Sequence, residues 1–434
     1  MTAGASTALL TDQYELTMVD AALRSGAADR RCVFEVFARS LPGRRRYAVV
    51  AGTGRLLESL PDFRFDPAAL GFLVERQVVD ETTRDWLAAY RFSGTVDGYA
   101  EGEVYFPGSP VLTVEGTFAE CVVLETLVLS ILNHDSAVAT AAARMVCAAG
   151  DRPCIEMGSR RTHEEAATAA ARAAYLAGFA ATSNLAAGRR WAIPTTGTAA
   201  HAFTLVHDDE ASAFQAQVDA LGVGTTLLVD TYDVEAGIRT AVEVAGTSLG
   251  AIRLDSGDLP TQARDARRLL DSLGARQTRI VVTSDLDEHA IAALASAPVD
   301  GYGVGTSVAT GSGVPTAGFV YKLVAREGPS GEWVDVEKLS TGKRSAGGRK
   351  HAARRSESGS ASAELLRTGG TPPARADERV LQIPLTRNGT PVAQPSLEAA
   401  RARCRASIAE LPPEAAKLSA GDPVLETVYE RIDS

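Results

Sequence analysis

Seven short polar tips, each at the end of a run of β-forming residues, carry most of the side chains here that could do chemistry. In chain order they are Gly158-Ser159-Arg160-Arg161, Thr182-Ser183-Asn184, Gly197-Thr198-Ala199-Ala200-His201, Asp230-Thr231-Tyr232-Asp233, Asp255-Ser256-Gly257-Asp258, Ser284-Asp285 and Gly303-Val304-Gly305-Thr306. Arg160, Arg161, Arg253 and Lys322 are cationic donors, and a guanidinium can grip a carboxylate or phosphate two-pronged. Asp230, Asp255 and Asp285 offer carboxylates that could hold sugar hydroxyls or a Mg²⁺ carried in by a diphosphate. Gly303, Gly305 and Thr306 come last, and unhindered backbone N–H groups there could approach an oxyanion closely. The combination calls for a phosphorylated sugar and a second anion.

The elements that must position these groups follow from periodicity. Between Pro153 and Val324, short apolar runs (Cys154–Met157, Thr226–Val229, Gly250–Leu254, Arg279–Val282) alternate with helical stretches near 164–178, 201–221, 234–245 and 259–273. That alternation predicts a parallel sheet, closed as a barrel or doubly wound, with its active edge at the carboxyl ends of the strands. Before it, residues 1–117 read as a helix over 9–24, with Thr11 or Asp12 as N-cap, followed by short strands. Residues 118–149 are almost continuously helical. Residues 342–378, rich in Gly, Ser and Arg, read as a flexible segment. Residues 379–434 regain a strand (380–385) and helices (396–410 and one near Val424), expected to pack on the N-terminal domain. The catalytic unit is thus expected over 118–341.

Composition bounds the alternatives. A net charge of −10 argues against nucleic-acid binding, which needs a basic face. The apolar run 122–132 is too short for a bilayer and reads as a buried helix, so no membrane role is expected. Five cysteines without a C-x-x-C pair, and no basic-then-apolar leader, fit a reduced, cytoplasmic setting.

Each chemical residue also has a plainer reading. Asp230 or Asp255 could simply cap the next helix. His201 could be a buried structural histidine, Tyr14 a core aromatic, and Gly303-Val304-Gly305 a turn. His163 is the weaker histidine, because its charged neighbours suggest exposure.

Several motifs in one order resolve these readings together. Thr11-Asp12-Gln13-Tyr14-Glu15, Glu156-Met157-Gly158-Ser159-Arg160-Arg161, Gly197-Thr198-Ala199-Ala200-His201, Asp230-Thr231-Tyr232-Asp233, Arg253-Leu254-Asp255-Ser256-Gly257-Asp258 and Lys338-Leu339-Ser340 resemble the nicotinate phosphoribosyltransferase family. The resemblance implies an irregular, TIM-like α/β barrel of the type II phosphoribosyltransferase kind, with an α+β domain built from both chain ends. It implies a homodimer that forms nicotinate mononucleotide from nicotinate and phosphoribosyl diphosphate, the first step of NAD synthesis from nicotinate. ATP is the implied co-substrate, giving the formal class of C–N ligase, and Mg²⁺ accompanies the diphosphate or ATP without a metal site of the protein's own.

By the same resemblance, His201 is the histidine that ATP phosphorylates, with Asp230 and Asp255 near ribose and diphosphate. Arg160 and Arg253 contact substrate phosphate and the pyridine carboxylate. Tyr14 reaches the ring from a neighbouring subunit, and Met157 stands where an aromatic residue is common. Ser284, Asp285, Gly303, Gly305 and Thr306 complete the substrate site, the last two at the 5′-phosphate. Ser183 occupies a position where amide-using relatives place an aspartate. A carboxylate there would repel nicotinate by about 1–4 kcal/mol, so the acid is the expected substrate. The rivals are a sister enzyme for quinolinate or nicotinamide and a non-catalytic ligand sensor; the Gly-Thr-Ala-Ala-His segment argues against the quinolinate enzyme, and intact His201, Asp230, Arg253 and Asp255 against the sensor.

Overall fold

A computed structural model of the chain describes residues 6–338, 346–370, 372–392 and 395–432. Leu339 and Ser340 of the Lys338 motif lie outside the described residues. The chain divides into two compact units, residues 138–313 and residues 1–137 with 314–434.

Residues 138–313 form a six-stranded parallel sheet, curled into a half-barrel. From edge to edge the strands are Ala181–Thr182, Cys154–Glu156, Gly301–Val304, Arg279–Val282, Ala251–Leu254 and Thr226–Leu228. Alternate residues of the central strands pack inward. Ile252, Leu254, Ile280, Val282, Tyr302 and Val304 are all fully buried. Helices follow the strands, and their starts are written in the sequence. Asp258 accepts from Thr261 N to cap Leu259–Ser272, whose Leu259, Ala263, Ala266 and Leu270 make one buried stripe. Asp233 caps Val234–Ala245 in the same way through Ala236 N. The expected helix over 201–221 is two helices, His201–Leu205 and Glu210–Leu221, because Asp209 caps the second by accepting from Ser212 N. His163 is likewise a cap, accepting from Glu165 N at the start of Glu164–Leu176.

The other unit interleaves both chain ends. Its seven-stranded antiparallel sheet runs Trp333–Asp335, Phe319–Glu327, Arg31–Ala38, Leu112–Thr117, Thr95–Tyr99, Gln382–Arg387 and Thr390–Pro391. Pairing of Phe319–Glu327 with Arg31–Ala38 draws residues 314–338 into this unit rather than into the expected 118–341 unit. Composition misread the stretch expected to be flexible over 342–378. It contains the paired strands His351–Glu357 and Ser360–Thr368, whose inward residues Ala352, Ala353, Ala361 and Ala363 are small and therefore inconspicuous. The expected helix near Val424 is instead the strand Glu426–Arg431, added parallel to Ser360–Thr368. The apolar run 122–132 is helical and buried, as expected. It sits within helical residues 118–149, long and apolar enough to cross a membrane, yet 67% of the most apolar window is buried, as in a core helix.

Candidate active site

At the carboxyl edge of the parallel sheet, four of the sequence-predicted residues meet. His201 opens its short helix and turns Nε2 to Asp230 Oδ1 at 3.1 Å. Asp230 follows the Thr226–Leu228 strand, and its side chain is only 2% exposed, against 39% for His201. Its other oxygen accepts from Asp255 N at 2.8 Å and Ser256 Oγ at 3.0 Å. Neither Asp230 nor Asp255 caps a helix, because Asp233 and Asp258 already do so. Both are therefore spent on the site, and His201 is not buried.

Arg253 lies between fully buried Ile252 and Leu254, so the two-residue period of the strand turns it to the other side. Its guanidinium donates to Asp255 Oδ1 at 2.9 Å, Thr283 Oγ1 at 2.8 Å and Thr198 Oγ1 at 3.2 Å. The Thr283 hydroxyl in turn donates to Asp255 Oδ1. Burial works to raise the Asp255 pKa, but the bonds from Thr283 and Arg253 outweigh it and hold the carboxyl below its ordinary value. Nη1 also donates to Ala199 O at 3.3 Å, so Asp255 stays charged beside an arginine with one Nη2 hydrogen left for an anion.

The first and last tips are packed together. Met157 N donates to Val304 O at 2.7 Å. A Cβ on Gly303 would stand 2.5 Å from Thr283 Cγ2 and 2.8 Å from Met157 Sδ. A Cβ on Gly158 would stand 2.7 Å from Ala309 Cβ and 3.0 Å from Gly305 O. Gly303 is therefore a glycine for close packing, and the Met157 thioether lies against it. Gly305 leads into the short helix Thr306–Ala309. Ser284 holds φ at 133°, a conformation that costs a non-glycine residue roughly 1–3 kcal/mol and tends to cluster at functional sites. Arg160, Arg161 and Asp285 are exposed at their tips.

The chain that carries this arrangement is similar to known proteins in sequence and fold. The family model for the nicotinate phosphoribosyltransferase (NAPRTase) N-terminal domain matches residues 9–133. A nicotinate phosphoribosyltransferase of Mycobacterium tuberculosis is 60% identical over 429 residues, covering 96% of this chain and 94% of that protein. One from Bacillus subtilis is 39% identical over 77% of this chain and 70% of its own. The chain belongs to the nicotinate phosphoribosyltransferase family. The crystal structure of human nicotinic acid phosphoribosyltransferase superposes with TM-score 0.83 at 26% identity, covering 97% of each chain. The half-barrel of residues 138–313 is therefore that of the type II phosphoribosyltransferase fold.

In this member of the family, the remaining expected residues are distributed unevenly. Ser183 N donates to Glu156 O at 2.8 Å, next to the first tip. Tyr14 and Lys322 belong to the unit of residues 1–137 and 314–434. Tyr14 is 46% exposed rather than a core aromatic. Burial, then Glu125 and Glu15, push its hydroxyl pKa up, and Glu125 also accepts its hydrogen bond. Lys322 Nζ stands 3.9 Å from Glu125.

Sequence reasoning missed Thr283, and it named Ser256 and, above all, Glu156 within motifs without giving them a role. Glu156 is 1% exposed; its two oxygens accept from Thr182 Oγ1 and Gly158 N. Thr182 Oγ1 in turn accepts from Asn184 N at 2.9 Å, and Asn184 Nδ2 donates to Ser159 Oγ at 3.0 Å. One buried carboxylate so locks the first tip to the second. Burial drives its pKa up, against those two bonds. The available signal was a lone charge inside an otherwise apolar strand, where an unpaired carboxylate is costly.

Proposed function

We propose that this chain condenses nicotinate with 5-phosphoribosyl 1-diphosphate to nicotinate mononucleotide and diphosphate, coupled to ATP hydrolysis through transient phosphorylation of His201. The names of its relatives support the first half of this reading. The observation that carries the second is the pairing of His201 Nε2 with the buried Asp230.

A carboxylate only accepts, so Nε2 carries the proton and the lone pair resides on Nδ1. Nδ1 is then the nucleophile toward the γ-phosphorus of ATP. The Nδ1–P bond forms, the bond to the β,γ-bridging oxygen breaks, and ADP leaves. Asp230 stabilises the positive charge that grows on the ring, as in other histidine–carboxylate pairs. The phosphoryl group adds negative charge close to Arg253 and can reorganise its donors.

In the transfer itself, positive charge develops on the ribose as diphosphate departs. Asp255, kept ionised by Arg253 and Thr283, faces that charge, and exposed Arg160 is available to the phosphates. The pyridine nitrogen attacks once the ring is held in line, and Arg253 is the partner for its carboxylate. Neutral Ser183 leaves that pairing unopposed. No group of three or more His, Cys, Asp or Glu side chains fit to hold a metal occurs among the described residues. Asp255 and Asp285 would be the carboxylates to hold a Mg²⁺ brought in with the diphosphate or ATP, which would supply neutralising charge to the leaving oxygens.

A homodimer in which Tyr14 reaches a neighbour's ring, and a cytoplasmic setting, belong to the same proposal. Exposed Leu9, Leu10 and Tyr14 support the former, and five free cysteines the latter.

The test is product formation from nicotinate and phosphoribosyl diphosphate with Mg²⁺, with and without ATP, for wild type and His201→Ala. ATP-stimulated nicotinate mononucleotide, with the stimulation lost in His201→Ala, is the expected result. Product from nicotinamide or quinolinate alone would overturn the substrate assignment. No product from any of the three would leave a ligand sensor.

A further inference from the structure

A cavity of about 340 Å³ opens in the unit of residues 1–137 and 314–434. It is lined by four arginines, Arg349, Arg367, Arg375 and Arg387, and by only two carboxylates, Asp97 and Glu378. Asp97 is shared: Arg387 donates to Oδ1 and Arg349 to Oδ2, each at 2.7 Å. Glu378 is gripped two-pronged by Arg367, with Nη2 to Oε1 at 2.8 Å. Behind the wall, Glu115 takes a further bond from Arg349 and Glu430 one from Arg367. Those two arginines are comparatively enclosed, their side chains 34% and 4% exposed.

The other two are not. Arg375 comes no nearer than 3.6 Å to Glu378, too far for a hydrogen bond, and its side chain is 52% exposed. Arg387 is 48% exposed, and its partners among the described residues are Asp97 and the Thr386 carbonyl. Each guanidinium carries five N–H donors, so most of the donors at this rim are open. The walls between them are apolar: Pro373, Pro384, Val380 and Ala352. His351 adds a half-buried ring, held toward its neutral form by burial and by Arg349. A bare phosphate would leave most of such a volume empty, since even a water's share of liquid is only about 30 Å³. An anion attached to a flat ring uses both the open guanidinium forks and the apolar walls.

We propose that this cavity binds a mononucleotide, with its phosphate on Arg375 and Arg387 and its base against Pro373, Pro384 and Val380. The inference does not rest on the reaction proposed for His201, and the residues involved are separate from it.

Calorimetric titration of the full chain with AMP, and separately with inorganic phosphate, tests it. Three proteins are compared: wild type, Arg253→Ala to disable anion binding at the tips, and Arg375→Ala/Arg387→Ala. AMP should bind Arg253→Ala at one site per chain, and at least about tenfold more weakly to the double variant, as loss of charge-assisted bonds requires. Inorganic phosphate should bind at least about tenfold more weakly than AMP, because it leaves the apolar walls unused. AMP affinity unchanged in the double variant, or lost in Arg253→Ala, would place the nucleotide elsewhere and overturn the proposal. So would the absence of AMP binding, or phosphate binding as tightly as AMP. If the alanine variant fails to fold, Arg375→Lys/Arg387→Lys keeps the charge, removes the forks and should still weaken AMP measurably. Unaltered affinity there would refute the bidentate contact.

Discussion

Replacing Asp230 by asparagine isolates the electrical part of its partnership with His201. Asparagine matches the shape and can still accept from Asp255 N and Ser256 Oγ, the bonds made at 2.8 and 3.0 Å in the native site. Its amide NH₂ then faces Nε2, which must become the acceptor, so the ring proton moves to Nδ1 and the nucleophilic lone pair is withdrawn. The charge that steadied the developing imidazolium is lost as well. A charge-assisted hydrogen bond contributes about 1.5–3 kcal/mol. Coulomb's law bounds the term from above, giving roughly 5 kcal/mol for unit charges 3.1 Å apart at an effective dielectric near 20. A loss of about 2–4 kcal/mol in the transition state for phosphorylation corresponds to a rate roughly 30- to 1000-fold lower. Stability should change by less than about 1 kcal/mol, because the buried acceptor is kept. The assay is rapid-quench incorporation of γ-labelled phosphate into acid-labile protein phosphate, with His201→Ala as the blank. Turnover without ATP is measured in parallel. Phosphorylation within threefold of wild type would refute the tautomer argument. An equal collapse of ATP-independent turnover would show that Asp230 acts on the sugar instead.

Three further outcomes are expected. Glu15 is fully buried, and burial, against bonds from Thr11 and Thr126, raises its pKa from 4.5 to about 7. Its raised folded-state value means that its stabilising contribution is complete below pH 4.5 and lost as pH climbs through 7. Unfolding free energies from urea titration should therefore fall from pH 5 to 8 by about 1–3 kcal/mol more in wild type than in Glu15→Gln; parallel profiles would refute this. Lys350 Nζ donates to Glu35 Oε2 at 2.8 Å, and both side chains are almost wholly buried. Lys350→Met should cost about 3–5 kcal/mol in chemical denaturation, and adding Glu35→Gln should recover much of it. Gly303→Ala must push aside Thr283 Cγ2 and Met157 Sδ, at 2.5 and 2.8 Å from the new methyl. A loss of about 1–3 kcal/mol, with a raised KM for nicotinate, is expected; an unaffected KM would remove Met157 from the ring site.

The reading from sequence succeeded where chemistry is local. Strand, tip and helix recur with a period that no antiparallel protein would show, so the parallel sheet and its active edge were legible before any coordinates. The capping alternative was three residues off in both tips: Asp230 and Asp255 were the candidates, but Asp233 and Asp258 cap the helices. Sequence reasoning failed where small side chains hid a fold. Ala352, Ala353, Ala361 and Ala363 build two strands out of a segment whose composition resembles a linker. The role of Glu156 escaped notice because it lies in accepting bonds from Gly158 and Thr182, residues of two different tips.

By itself, then, the sequence determined the residue types at each tip, the order of the strands along the chain, and the ordered motifs that resemble the family. Those depend on neighbours within a few residues or on the linear order of the chain. Only the tertiary structure decided the order of strands across the sheet, which sets the tip of residue 230 beside the tip of residue 255. It also decided that His201 presents Nε2, not Nδ1, to a buried carboxylate. The physical reason is the same in both cases: parallel pairing and hydrogen-bond direction join residues 25 to 30 positions apart, and no local periodicity records which partner closes such a distance.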